Sequence, residues 1–210
     1  MKHVLIVFGT RPEAIKMMPV VRALRQAQFM RVTILVTGQH REMLDQVFSV
    51  FDEKPDRDLN LMTRNQSLSD ITANVVQRIH ETLGELKPSL VLVHGDTTTA
   101  MASAMAAFYA RCRIGHVEAG LRSHDLQRPW PEEFNRVTID AIADYLFAPT
   151  ELARRNLINE YNRGAKILVT GNTGIDTLLS VSAILDQNAA LKNKLNCGMT
   201  ILMIPVTSFS

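Results

Sequence analysis

The chain has 210 residues, 46% of them hydrophobic, which suffices for one sizeable α/β domain or for one domain and part of a second. Its formal net charge of +2 comes from well-mixed acidic and basic residues without a basic run, so the composition argues against a nucleic-acid partner. No stretch approaches the roughly 20 apolar residues of a membrane span, and the two cysteines lie far apart without metal-ligand spacing, as is typical of reduced thiols in a cytoplasmic protein.

Short apolar, β-rich runs alternate along the chain with longer segments of helical period. Strands are predicted near residues 4–8, 32–36, 90–93, 114–117, 145–148 and 167–169. Strands of this kind are buried on both faces, pair in parallel and require right-handed helical crossovers. The sequence therefore predicts an α/β fold, a doubly wound Rossmann-like parallel sheet, whose body spans residues 1–186.

Start signals predict where several helices begin. Thr10, followed by a proline and a glutamate, is typical of an N-cap and predicts a helix to about residue 25. Asp96 and Thr97 are expected to cap a helix through residue 108, and Thr150 opens another. Residues 51–68 contain a proline and several Asp and Asn residues, which favours a surface loop before a helix that ends near residue 86.

The carboxyl-terminal tail contains one further strand-like run. After residue 187 a short polar helix is expected, followed by the apolar run TILMI at residues 200–204. The run is either an edge strand of the same sheet or the first strand of a second domain, because a lone strand is not stable by itself. We assign residues 187–210 to a linker and the start of a missing or frameshifted second domain.

Three carboxylates stand out by their placement, because they follow apolar strands or lie in the loops beyond them: Asp96, Glu118 and Glu132. Loops at the carboxyl ends of parallel strands line the crevice where ligands bind, so these acids are expected to converge and to transfer protons. For any one of them a helix cap or a solvated loop charge is the alternative. Of the neighbouring pair Glu132 and Glu133, one acid can simply occupy the first turn of a helix running to residue 143.

Arg11 and Lys16 are the candidate cations near the first strand. The turn at Gly9 leads into a helix whose amino terminus can receive an anion, although Pro12 removes one backbone donor. The chain has no Gly-x-Gly-x-x-Gly fingerprint and no Walker loop at this turn, so neither a nicotinamide cofactor nor ATP is predicted. A pair of solvated helix charges is the alternative for both residues.

Six motifs, read in order, resemble one protein family: FGTRPEAIKM (residues 8–17), TGQHREMLD (37–45), HGDTT (94–98), GHVEAGLR (115–122), PWPEEFNR (129–136) and TGNTGID (170–176). The family is that of the bacterial non-hydrolysing UDP-N-acetylglucosamine 2-epimerases, and the resemblance covers residues 1–185. It implies interconversion of UDP-N-acetylglucosamine and UDP-N-acetylmannosamine by elimination of UDP to a glycal and its re-addition, for cell-surface polysaccharide. No cofactor or metal is implied.

The resemblance also implies roles for individual residues. The family's acidic catalytic positions correspond to Asp96, Glu118 and Glu132. Substrate-binding residues implied in the same way are Arg11, Lys16, His94 and Arg136. A buried, hydrogen-bonded imidazole remains the alternative for His94, and a structural ion pair remains the alternative for Arg136. Gln39 and Glu42 correspond to a neighbourhood that contributes to a second, regulatory UDP-N-acetylglucosamine site in the family.

The family has two Rossmann-like domains in a glycosyltransferase-B-like arrangement with the substrate between them, and this chain resembles the amino-terminal domain. A Thr-Gly-His-Arg-Arg-like motif of the family is replaced here by IPVTSFS at residues 204–210, from which we expect a truncation or frameshift. A homodimer is expected for the full-length form, since dimers are common in the family.

Other functions remain open at the level of sequence. The chain can be a catalytically inactive fragment that binds sugar nucleotide or forms a dimer contact, because half of the cleft wall is then missing. A hydrolysing 2-epimerase would release UDP and free N-acetylmannosamine. A glycosyltransferase of similar architecture is disfavoured, because the GDTT and PEE motifs are not general features of that group.

Overall fold

The computed structural model describes residues 1–38, 41–61, 66–160 and 164–187, without the side chains of residues 41, 42 and 185–187. The strands are β1 (Lys2–Phe8), β2 (Met30–Val36), β3 (Arg57–Asp58), β4 (Leu90–His94), β5 (Arg113–Val117), β6 (Tyr145–Ala148) and β7 (Lys166–Val169). The helices are α1 (Arg11–Gln26), α2 (Arg41–Phe51), α3 (Leu68–Leu86), α4 (Thr98–Tyr109), α5 (Glu132–Ile142), α6 (Glu151–Asn159) and α7 (Thr173–Gln187).

The strands form one seven-stranded sheet in the order β3-β2-β1-β4-β5-β6-β7, and every pair in it is parallel. Chain order runs outward in one direction from β1 and in the other direction from β4. The loops that follow β1 and β4 therefore diverge, and this reversal opens a crevice at the carboxyl edge of the sheet. The predicted doubly wound parallel sheet is confirmed.

All six predicted strands are present, each beginning within two residues of its expected position. The strand that the sequence did not predict is β3, which pairs with the end of β2 inside the expected surface loop. Its two polar residues are too few to show a period, so hydrophobic pattern cannot reveal it.

Apolar side chains fill both faces of the sheet. On one face, residues of β1, β2, β4, β5 and β6 pack against α3, α4, α5 and α6. On the other face, residues of β1, β2, β4 and β5 pack against α1 and α2. Helix α4 packs closely because most of its buried residues are alanines. At Gly115 of β5, a Cβ atom would lie 2.5 Å from Leu92 Cδ2, so the packing of strands β4 and β5 requires a residue without a side chain.

Threonine caps position the helices as the sequence predicts at Thr10, Thr97 and Thr150, each accepting a hydrogen bond from a first-turn amide. The N-cap of α4 is Thr97, so the carboxylate of Asp96 does not cap this helix and remains available for other contacts. No helix within the described ranges is both long and apolar enough to cross a bilayer. Of the expected linker and second-domain start at residues 187–210, Gln187 is the last residue of α7, and the rest lies outside the described residues.

Candidate active site

The crevice between β1 and β4 contains a cavity of about 590 Å³. Its wall includes Arg11, Glu13, Lys16, His94, Asp96 and Glu118. A larger cavity, about 820 Å³, lies between α1 and the apolar face of the sheet, and none of the described Asp, Glu or His side chains lines it. Acid–base chemistry can therefore be supported by the smaller cavity, at the point where the strand order reverses.

Glu118 lies directly after β5 and is held by a cation. Its backbone φ is +70°, in the left-handed region that a residue with a side chain adopts at a cost of about 1–2 kcal/mol. Lys16 Nζ lies 2.6 Å from Glu118 Oε1 and 2.9 Å from Oε2, so the ammonium group contacts both carboxylate oxygens. The exposed fractions of these side chains are 32% for Lys16 and 16% for Glu118, so the ion pair at the cavity is only partly solvated.

His94, the last residue of β4, is buried beside this pair. Its Nε2 is 3.5 Å from Glu118 Oε2, and neither ring nitrogen has a hydrogen-bond partner among the described residues. Burial lowers the pKa of His94 to about 3, with further lowering from the positive charges of Lys16 and His116. The imidazole is therefore neutral and can accept or donate a hydrogen bond to a ligand in the cavity.

Asp96 follows β4 and faces the amino-terminal half of α5. Arg136 donates to it across 2.6 Å between Nη2 and Oδ2. Burial raises the pKa of Asp96, and the carboxylates of Glu118 and Glu132 raise it further, against the opposing charges of Arg136 and His116. The raised pKa makes Asp96 a stronger base than an ordinary carboxylate.

The neighbouring acids at the start of α5 have different surroundings. Glu133 is buried, and its Oε1 accepts hydrogen bonds of 3.0 Å from the backbone amides of Ser123 and His124. Glu132 is half-buried, and its charge acts on Asp96. The structural role that the sequence left open thus falls to Glu133. Glu132 is not among the described residues that line the cavity, and its place in the site stays a prediction.

Glu13, the glutamate that follows the Thr10 cap in sequence, is a buried carboxylate. Its Oε2 accepts from the amides of Gly9 and Thr10, at 3.0 and 2.7 Å, and from the Thr10 hydroxyl. Its Oε1 accepts from the Thr97 hydroxyl at 2.7 Å, which ties the loop after β1 to the loop after β4. Two amides at the start of α1 are thereby occupied, so cations must supply most of the attraction for an anionic ligand here. The Thr-x-x-Glu spacing of a capping box could have revealed this role.

The cations differ in availability. Arg11 lines the cavity, is exposed, and forms no ion pair within the described part of the chain. Lys16 and Arg136 each already hold a carboxylate. Gln39 lies outside the described residues, as does the side chain of Glu42, so the predicted regulatory neighbourhood has no described geometry.

Two further residues of the predicted motifs are structural. His116 is fully buried, with Nδ1 2.6 Å from Asp140 Oδ1 and Nε2 2.7 Å from the Gly95 carbonyl oxygen. Arg122 pairs with Asp140 and Glu160, and its side chain is 1% exposed. Neither side chain lines the cavity. The sequence does not indicate that Asp140 binds both of them, because an acid within an amphipathic helix usually faces water.

These features define a class of protein: a Rossmann-like domain with a cluster of paired acids and cations at the reversal point of its sheet. A family model described as UDP-N-acetylglucosamine 2-epimerase matches residues 22–204. The chain belongs to the UDP-N-acetylglucosamine 2-epimerase family, as its motifs predicted.

Relatives agree with this assignment. The UDP-N-acetylglucosamine 2-epimerase of Escherichia coli K12 is 51% identical over 192 residues, which are 91% of this chain and 51% of that protein. The crystal structure of the Neisseria meningitidis UDP-GlcNAc 2-epimerase bound to UDP-GlcNAc superimposes with a TM-score of 0.88 at 47% identity, covering 93% of this chain and 53% of that one. The Methanocaldococcus jannaschii enzyme in complex with UDP-GlcNAc and UDP gives a TM-score of 0.85 at 38% identity, covering 94% and 54%.

The chain thus spans about half the length of the relatives it matches. This half-length match agrees with the prediction of one half of a two-domain, glycosyltransferase-B-like architecture.

Proposed function

We propose that the chain is the acid–base half of a non-hydrolysing UDP-N-acetylglucosamine 2-epimerase, acting in cell-surface polysaccharide synthesis. The observation that carries the proposal is that Asp96 and Glu118 line one cavity with Lys16, which pairs with Glu118. Burial chiefly raises the pKa of Asp96 there, and the charges of Glu118 and Glu132 add to this rise. Family membership supports the choice of substrate, as does the UDP-GlcNAc bound in the Neisseria meningitidis enzyme.

The proposed reaction removes and returns one proton at C2 of the sugar. A carboxylate takes the C2 proton, the C–H electron pair forms the C1–C2 double bond of a glycal, and the bond from C1 to UDP breaks. UDP then adds back to C1 while an acid delivers a proton to the opposite face of C2. Asp96, Glu118 and Glu132 are the groups proposed to exchange these protons, without assignment to a face.

Charge on the departing diphosphate requires cations in the same cavity. Arg11 is proposed as the first of these, because it is exposed and unpaired within the described ranges. Lys16 can shift from Glu118 toward the phosphate as negative charge develops there. His94 and Arg136 complete the proposed substrate-binding set, with His94 offering a neutral ring nitrogen to the sugar.

A second candidate function, sugar-nucleotide binding with little turnover, has one observation in its favour. The cavity is open: the side chain of Asp96 is 34% exposed and that of Lys16 is 32% exposed. Elimination chemistry needs the leaving group held and water excluded, and these exposures are larger than a closed site would show. Slow turnover is therefore expected for the 210-residue chain alone.

Several further properties belong to the proposal. The full-length form is proposed to be a cytoplasmic homodimer without a nucleic-acid partner. A regulatory UDP-N-acetylglucosamine site near Gln39 and Glu42 is proposed on the family resemblance alone.

Product analysis tests the proposal. Proton NMR of the chain incubated with UDP-N-acetylglucosamine is expected to show UDP-N-acetylmannosamine, abolished by Glu118→Gln and retained in Glu151→Gln, which removes an exposed acid at the start of α6. Free N-acetylmannosamine would instead identify a hydrolysing enzyme. Binding by calorimetry without any product would favour the second candidate, and neither binding nor product would refute both.

A further inference from the structure

A buried polar network lies beneath the loops that carry two of the acids. We define the His116 network as the side chains of His116, Asp140 and Arg122. His116 Nδ1 is 2.6 Å from Asp140 Oδ1, and Arg122 Nη1 is 2.8 Å from Asp140 Oδ2. None of the three side chains is more than 3% exposed, so none can reach a substrate.

The His116 network holds the backbone on both sides of the site. His116 Nε2 contacts the carbonyl oxygen of Gly95, the residue before Asp96, at 2.7 Å. Asp140 Oδ2 accepts the amide of Gly120 at 3.0 Å. Gly95 and Gly120 have φ values of +66° and +84°, so these contacts fix backbone turns that ordinary residues rarely adopt.

The second of these turns includes Glu118 itself. Its left-handed backbone is followed by two fixed amides: that of Ala119 donates to the Phe147 carbonyl at 3.1 Å, and that of Gly120 donates to Asp140. A residue with a side chain remains in this conformation only when its surroundings hold it there. Asp140 supplies one of the two hydrogen bonds that do so.

The hydrogen-bond pattern also determines what His116 must donate. The Gly95 carbonyl can only accept, so Nε2 carries a proton. Asp140 Oδ2 accepts from the Arg122 guanidinium at 2.8 Å and from the Gly120 amide at 3.0 Å, so the carboxylate is ionised and its Oδ1 accepts from Nδ1 of His116. His116 therefore donates from both ring nitrogens and is a buried cation.

We propose that His116, Asp140 and Arg122 are positioning residues, which set the carboxylates of Asp96 and Glu118 for proton transfer and place a buried positive charge beside Asp96. The inference rests on the proposed function for its chemical meaning. Stability alone is a weak explanation, because buried ion pairs lose solvation and apolar residues of similar volume often replace them without loss. A fixed geometry and a fixed charge are what such a network supplies and an apolar core does not.

The first test uses the chain without substrate. In long-range nitrogen–proton NMR of a ¹⁵N-histidine-labelled sample near neutral pH, His116, assigned by its loss in His116→Gln, is expected to show protons on both ring nitrogens. A His116 ring with one proton would overturn the inference whatever the activity of the chain. The five other histidines can be assigned by single substitutions in the same way, which leaves the His116 signal identified even where His116→Gln fails to fold.

The second test compares Asp140→Asn with Glu160→Gln, which removes the outer partner of Arg122 and leaves Asp140 intact. In Asp140→Asn, His116 is expected to lose its Nδ1 proton, and carbon NMR of the Asp96 carboxyl is expected to show its pKa shifted upward. The other groups that act on this carboxyl, Arg136, Glu118 and Glu132, are unchanged. Glu160→Gln should leave both signals as in the unsubstituted chain. Equal signals in both variants would overturn the inference.

Where turnover is measurable, Asp140→Asn is expected to lower kcat about 10- to 100-fold, with KM changed by less than about threefold, because misplacement affects the transition state more than binding. A KM change without a kcat change would contradict a positioning role. Absence of turnover in the unsubstituted chain would count against the proposed function, while the two NMR tests would still decide the positioning role.

Discussion

The buried imidazole of His94 should make the stability of the chain depend on pH in a way that one substitution removes. The pKa of His94 is lowered to about 3 from 6.5, chiefly by burial, so the folded state excludes a proton that the unfolded state binds. The resulting stability is fully present above pH 6.5 and is lost as the pH falls from 6.5 toward 3.

Each pH unit below 6.5 then lowers the free energy of unfolding by about 1.4 kcal/mol, which amounts to about 2 kcal/mol between pH 7.5 and pH 5. We expect this part of the pH dependence to be absent from His94→Gln, whatever the stability of that variant at pH 7.5. Other titrating groups contribute equally to both proteins and cancel in the comparison.

Urea unfolding followed by far-ultraviolet circular dichroism at pH 7.5 and pH 5 measures this difference. The matched control is His80→Gln, because His80 is exposed on α3 and its replacement should leave the pH dependence unchanged. If the unsubstituted chain and His94→Gln lose the same free energy between the two pH values, to within about 0.5 kcal/mol, the neutral buried imidazole is refuted.

Three further outcomes are expected. Lys16→Met should raise the pKa of His94, though not to its ordinary value, because burial is the larger cause; a histidine NMR titration without a shift would contradict this. Gly120→Ala should lower the free energy of unfolding by about 3 kcal/mol or more, because its Cβ would lie 2.4 Å from the Ala153 carbonyl oxygen, whereas Gly164→Ala, with a similar φ of +87° but open space, should lower it by about 1 kcal/mol. Equal losses would refute the steric argument. Glu13→Ala should lower it by about 3 kcal/mol, since buried amide and hydroxyl donors lose their acceptor, and a loss below about 1 kcal/mol in urea unfolding would argue against that account.

The sheet was predictable because strands buried on both faces appear in the sequence as short apolar runs between helical segments. The placement of Asp96 and Glu118 followed from the same pattern, since the carboxyl ends of β4 and β5 must meet at one edge. The strand β3 was not predictable, because its pairing depends on the end of β2 and not on any pattern of its own.

The partners within the site needed the structure. Lys16 and Glu118 are 102 residues apart, and nothing local to either residue indicates their contact. The division of roles between Glu132 and Glu133 depends on which side chain faces the amides of Ser123 and His124, which is a property of the loop. Asp140 was missed for a similar reason, because its partner on β5 is set by tertiary packing.

Deuterium incorporation at C2 of UDP-N-acetylglucosamine is the measurement that tests the acid–base role of the site most directly. In deuterated water, loss of the C2 proton signal is expected in the presence of the chain, with Glu118→Gln slowing it by about 100-fold or more and Glu151→Gln leaving it unchanged. Exchange that survives Glu118→Gln at the original rate, or no exchange while the sugar nucleotide is bound, would contradict the proposal that these carboxylates exchange protons with the substrate.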